Sequence, residues 1–132
     1  MMRRILSILA GLAVTVVCVG LLEALGHLVF PPPEGMDVSD PETLKTVMWD
    51  IPLGAKLSVL AAWTLGTFAG GAVAAYFARA GSWPAWTIAG IMLLLIGINL
   101  VWIPHPVWMI VAAILLTVIA GYAASRVAGA RT

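Results

Sequence analysis

The chain has 132 residues, room for a single domain, of which 62% are hydrophobic and only 10% charged, with a formal net charge of +1. Soluble domains are about 45–50% apolar and about 25% charged, and a domain of this size leaves too much surface exposed to hide such an excess from water. The composition, with a mean hydropathy of +1.06, therefore excludes an ordinary soluble fold and makes lipid the expected solvent.

The first apolar stretch runs over 5–30 and follows Arg3 and Arg4. It is far longer than the roughly 7–15 apolar residues of a signal peptide, and no small-residue cleavage site ends it, so a retained first helix is expected. Cys18 lies within it and reads as a small buried hydrophobe, because a single cysteine cannot form an internal disulfide. Glu23 and His27 come near its end, four residues apart and so on one helix face, with Gly20 one turn below.

The segment 31–52 is the longest connection. Pro31, Pro32 and Pro33 stop the first helix, since proline lacks a donor and fixes its own φ. Ser39-Asp40-Pro41-Glu42 reads as a helix start, with Ser39 or Asp40 as cap and Ser39 with Glu42 as a capping box. Leu44, Val47, Met48 and Ile51 then recur at helical spacing beside Trp49, which predicts a short external amphipathic helix at the membrane interface, ended by Pro52.

Three further stretches follow at 53–78, 84–103 and 107–128. Each is near the roughly 20 apolar residues that cross the hydrocarbon as a helix, and only a helix satisfies its backbone within one segment in lipid. Lys56 opens the second stretch and Asn99 lies near the end of the third. Gly81-Ser82-Trp83-Pro84 and Pro104-His105-Pro106 are tight turns, so consecutive helices should be antiparallel neighbours. Trp83, Trp86, Trp102 and Trp108 fall at span ends, where indoles anchor at the interface, whereas Trp63 is deeper and should pack inside. The expected fold is all-α: one transmembrane domain over 1–132, a four-helix antiparallel bundle with the short external helix.

Arg3, Arg4, Arg79, Arg126 and Arg131 sit at ends that four alternating spans place on one side, without acidic company. Glu34, Asp37, Asp40, Glu42 and Asp50 lie on the other. The positive-inside rule then predicts cytoplasmic N and C termini, and the expected location is a bacterial inner membrane.

Helices in lipid associate through close backbone approach or polar contacts. The second span carries a small-residue stripe, Ala62, Gly66, Gly70, Ala74 and Ala78, and the fourth carries Ala113, Thr117, Gly121, Ser125 and Gly129. The first span offers Gly11 with Thr15, and Gly20 with Ala24. These stripes serve packing within the chain or between copies.

Glu23, His27, Lys56 and Asn99 form the candidate polar cluster, expected at one depth beneath the external helix with His105 just above. Ionisable groups inside spans are costly in lipid, so they tend to face the interior and pair. Two readings stand: a titratable or ligand-binding site opening outward, or a structural Glu23–Lys56 pair with His27 and Asn99 bonding between helices. The chain has no CxxC, CxxCH or HExxH motif, so no metal or cofactor is expected. No nucleophile–base pair points to an enzyme, and no basic run points to nucleic acid.

Glu23-Ala24-Leu25-Gly26-His27, Phe30-Pro31-Pro32-Pro33, Pro52-Leu53-Gly54-Ala55, Ala61 to Gly66, Gly70-Gly71 and Ile103-Pro104-His105-Pro106 together resemble a group of small bacterial four-helix membrane proteins. The resemblance spans nearly the whole chain and implies the fold, but it brings no activity and no functional residue. The length and the first-helix glutamate are also similar to small multidrug resistance transporters. Here, however, the glutamate lies nearer the outer end, the external loop is much longer, and their other motifs are missing. The expected role is an accessory or scaffold subunit of a larger membrane complex, with a membrane protein or a second copy as partner. The alternative is a homo-oligomeric transporter or channel that uses Glu23 as its titratable group.

Overall fold

The structure, a computed structural model, describes residues 1–31, 40, 42–43 and 51–129, the last two without side chains. Helix α1 spans Met2–Val29, α2 Leu53–Ala78, α3 Trp83–Trp102 and α4 Val107–Gly129. All four are long and apolar enough to cross a membrane, which makes the chain a small multi-pass integral membrane protein. The bounds lie within three residues of those expected from hydropathy. The largest difference is at the N-terminus, where α1 begins at Met2 and takes in Arg3 and Arg4.

The expected external helix over 41–50 falls mostly outside the described residues. Glu42 and Thr43 are helical, and Asp40, one of the two candidate caps, engages them, while Ser39 lies outside the described residues. Its carboxylate accepts from the Glu42 N–H and the Thr43 hydroxyl, each at 3.2 Å.

Helix α2 is the centre of the fold. It packs against each of the other three helices, and it is the most buried of the four, while α1 is the least. Two of its faces are used. Gly66, Gly70 and Ala74 turn to α1, and Gly71 turns to Ala85 of α3 and Ala124 of α4. Nearer the start of α2, Leu60 joins Met92 and Ile96 of α3 and Met109 and Ala113 of α4 in an apolar cluster.

Helices α1 and α2 run antiparallel. The Arg3 side chain donates to the Phe77 carbonyl at 2.9 Å at one end, and the Phe30 ring lies against Gly54 at the other. The contact is close because glycine lines both sides. A methyl group at Gly70 would fall on the Thr15 hydroxyl and the Gly11 carbonyl, and one at Gly11 would stand 2.6 Å from the Gly70 carbonyl. Buried threonine hydroxyls, that of Thr15 in this interface and those of Thr67 and Thr117 elsewhere in the fold, are satisfied within their own helices. Thr15 donates to the Gly11 carbonyl at 3.0 Å, and Thr67 and Thr117 donate to the carbonyls of Trp63 and Ala113 at 2.7 Å. They therefore pack as small, nearly apolar groups.

The face of α1 differs from expectation in one respect. At about 100° per residue, Thr15 and Gly26 lie within about 60° of Gly11, whereas Gly20 lies about 180° away. Gly20 and Ala24 are accordingly exposed, and nothing lies within 4 Å of where a Gly20 side chain would begin.

The α2–α3 turn has two left-handed residues, Arg79 at φ +49° and Gly81 at φ +85°. Arg79 closes α2 in the αL conformation that favours glycine. Pro84 then enters the first turn of α3, where its missing N–H costs nothing.

Candidate functional site

The α1–α2 register fixes the polar residues. Gly26 meets Ser58 and Val19 meets Gly66. By interpolation Glu23 is level with Ala62, and Lys56 is level with Leu28. Glu23 and Lys56 thus differ by about five residues in height, roughly 8 Å along the axis.

Of the two readings of the cluster, the structural pair is not made: no ion pair joins Glu23 and Lys56 among the described residues. The half-buried Glu23 carboxylate instead accepts from the Trp63 indole N–H at 3.2 Å. Sequence reading placed Trp63 inside without giving it this role. The register in which Gly26 meets Ser58 and Gly66 meets Val19 brings Trp63 beside Glu23, and it is set by the packing of the two helices.

His27 does not join the cluster. It lies about 160° around α1 from Gly11, while Glu23 at about 120° stays on the flank of the α2 contact. His27 is exposed. The four-residue spacing that puts two residues near one face does not keep both beside a neighbour when the first is already on the flank.

Lys56 sits one turn above Leu60, at the end of the fold where α2 and α4 begin, and is 9% exposed. No hydrogen bond or ion pair engages its side chain among the described residues. It faces the α3–α4 turn, where it acts electrostatically on His105. The His105 Nδ1–H donates to the Ile103 carbonyl at 2.7 Å. Burial, and then the nearby Lys56 cation, outweigh this bond and hold the His105 pKa below 6.5. Its Nε2 therefore carries a free lone pair at neutral pH.

Asn99 is half-buried on α3, between Ile96 and Ile103, both of which are buried. Its backbone carbonyl accepts from the Ile103 N–H at 2.9 Å, and its side-chain amide makes no hydrogen bond among the described residues. The polar residues thus divide in two: Glu23 with Trp63 at depth, and Lys56, Asn99 and His105 toward the end of the fold. Among the described residues no three His, Cys, Asp or Glu side chains converge as a metal site would require.

Of the packing residues expected from sequence, Gly66, Gly70 and Ala74 lie against α1. Gly121 lies against Ala89 and the Trp86 ring, and Thr117 is buried at 1% exposure. The outer side of α3 is different. Gly90 and Gly97 meet nothing within 4 Å, and Gly97 floors an open apolar groove of about 460 Å³ walled by Leu93, Leu94, Ile98, Val101 and Trp102. Trp83, Trp86, Trp102 and Trp108 are exposed at span ends.

Comparison with protein-family models, curated proteins and solved structures finds no match. The class is therefore defined by the fold alone: a small multi-pass membrane protein of four apolar helices.

Proposed function

We propose that the chain is an accessory or scaffold subunit of a larger membrane complex, built as a four-helix antiparallel bundle in a bacterial inner membrane. The arginine-bearing ends, and with them both termini, face the cytoplasm. One observation carries this reading. Gly11, Gly66, Gly70, Gly71 and Gly121 are held by contacts inside the chain, whereas Gly20 on α1 and Gly90 and Gly97 on α3 touch nothing. A glycine inside a helix costs roughly 0.5–1 kcal/mol relative to alanine. Where no neighbour requires it, a close approach by a helix from another chain is its natural use. Gly90 and Gly97 are seven residues apart, so they present one face.

Gentle extraction of the native membrane, followed by native mass measurement and identification of co-purifying chains, tests this role. A defined hetero-complex that is lost in the Gly90→Leu/Gly97→Leu variant, whose own melting temperature is at or above the wild-type value, is the expected result. A chain that runs alone, or only with copies of itself, refutes the accessory role.

A second reading is a homo-oligomeric transporter or channel. It is favoured by one observation, the half-buried Glu23 carboxylate bonded to Trp63 within the spans and not neutralised by Lys56. It requires that Glu23→Gln abolish substrate flux in proteoliposomes while the folded yield is unchanged.

A further inference from the structure

Lys56 is a buried polar side chain that makes no hydrogen bond or ion pair among the described residues. Every buried side-chain nitrogen or oxygen among the described residues has a hydrogen-bond partner. Lys56 has none there, although it is only 9% exposed. Its stem is therefore buried while its ammonium keeps some accessible surface, so the charge lies at an opening. An ammonium in such a place needs an anion, because burying a charge without a partner is costly.

The surroundings supply no such anion among the described residues. Glu23 is occupied by Trp63 about five residues deeper, and Glu42 makes no ion pair with Lys56. Asp40 is bonded to its own turn. They do supply more positive potential. Helices α2 and α4 both begin at this end, neither has an acidic residue in its first turn, and α2 has no side-chain cap. The Phe30 ring lies against Gly54 on the α1 side, and Lys56 acts on His105 in the α3–α4 turn. There the His105 ring stays neutral at physiological pH and its Nδ1–H is already committed to Ile103. The exposed Trp102 and Trp108 flank this turn, and tryptophans at span ends mark the headgroup level of a bilayer.

We propose that this end of the fold binds a phosphate oxyanion, with the Lys56 ammonium as its charge partner. A phospholipid headgroup and free phosphate share this chemistry. The site is separate from the α3 glycine face and stands whether or not the chain is an accessory subunit.

The test uses the full chain, delipidated in a neutral maltoside detergent and phosphate-free buffer. Its melting temperature is followed during titration with inorganic phosphate, with phosphatidylglycerol in mixed micelles, and with chloride at matched ionic strength. The wild type is expected to show a saturable rise above the chloride control. Removing one member of a buried charge pair should weaken binding roughly 30-fold or more in Lys56→Met, and Lys56→Arg should retain it within a few-fold. A response to phosphatidylglycerol alone assigns a lipid headgroup, and a response to both assigns the free oxyanion. Without any anion, Lys56→Met should melt at or above the wild-type temperature, because it removes an unpaired charge. A wild type indifferent to both anions overturns the proposal. So does an equal response in Lys56→Met, or a Lys56→Met protein that melts lower without ligand.

Discussion

Replacing Gly70 by alanine tests the α1–α2 interface most directly. The added methyl would fall on the Thr15 hydroxyl and the Gly11 carbonyl. Neither can retreat cheaply: the hydroxyl is held to that same carbonyl at 3.0 Å, and the carbonyl belongs to the α1 backbone. Overpacking of this kind costs about 1–3 kcal/mol. Alanine returns about 1 kcal/mol of helix propensity. The expected net loss is therefore about 0–2 kcal/mol, toward the upper end because two held groups are in the way of the methyl. Gly90→Ala is the matched control, because its methyl enters open space and only the propensity gain remains. The two substitutions should move stability in opposite directions in a reversible unfolding titration in mixed micelles. Adding Thr15→Ala to Gly70→Ala should recover part of the loss but not all, since the Gly11 carbonyl stays in place. A Gly70→Ala protein as stable as Gly90→Ala would show that α1 does not rest on α2 as described.

The Trp63–Glu23 bond should be modest, since side-chain hydrogen bonds between membrane helices average about 0.6 kcal/mol. Trp63→Phe should cost near that amount, and Glu23→Gln less, because the amide oxygen still accepts from the indole; a double-mutant cycle that shows no coupling would refute the bond. Arg79→Gly should raise stability by about 1 kcal/mol, because a left-handed residue other than glycine carries a penalty of roughly 1–2 kcal/mol; thermal melting of the variant checks this. For His105 the folded-state pKa lies below the ordinary value of 6.5. The unfolded chain therefore takes up the proton first as pH falls. Stability should be flat above that value and decline below it, by at most about 1.4 kcal/mol per pH unit, until the folded ring protonates as well. Melting temperatures between about pH 5 and 8 should show the decline in the wild type and not in His105→Asn.

Much of this protein is legible in one dimension. Whether a segment enters lipid depends on a sum of transfer free energies along that segment, so the four spans and their ends follow from residue order alone. The α2 glycine stripe, the proline at the start of α3 and the capping by Asp40 are likewise local, because each acts within a turn or two of its own chain. A Glu23–Lys56 pair is one of the two readings of the sequence because both residues fall near the same end of their spans, and counting residues cannot detect a five-residue difference in height. That difference is set by how Gly11, Thr15, Val19 and Gly26 fit against Gly70, Gly66 and Ser58. The fit belongs to two surfaces at once and appears in neither sequence alone. The same holds for the glycines. In the sequence Gly20 with Ala24 looks no different from Gly11 with Thr15, and only the arrangement of the helices decides which of them a neighbour requires. The sequence by itself determined that this chain lives in a membrane and where it crosses. The tertiary structure decided which polar side chains meet, because helix register is chosen by the close packing of facing surfaces and not by hydropathy.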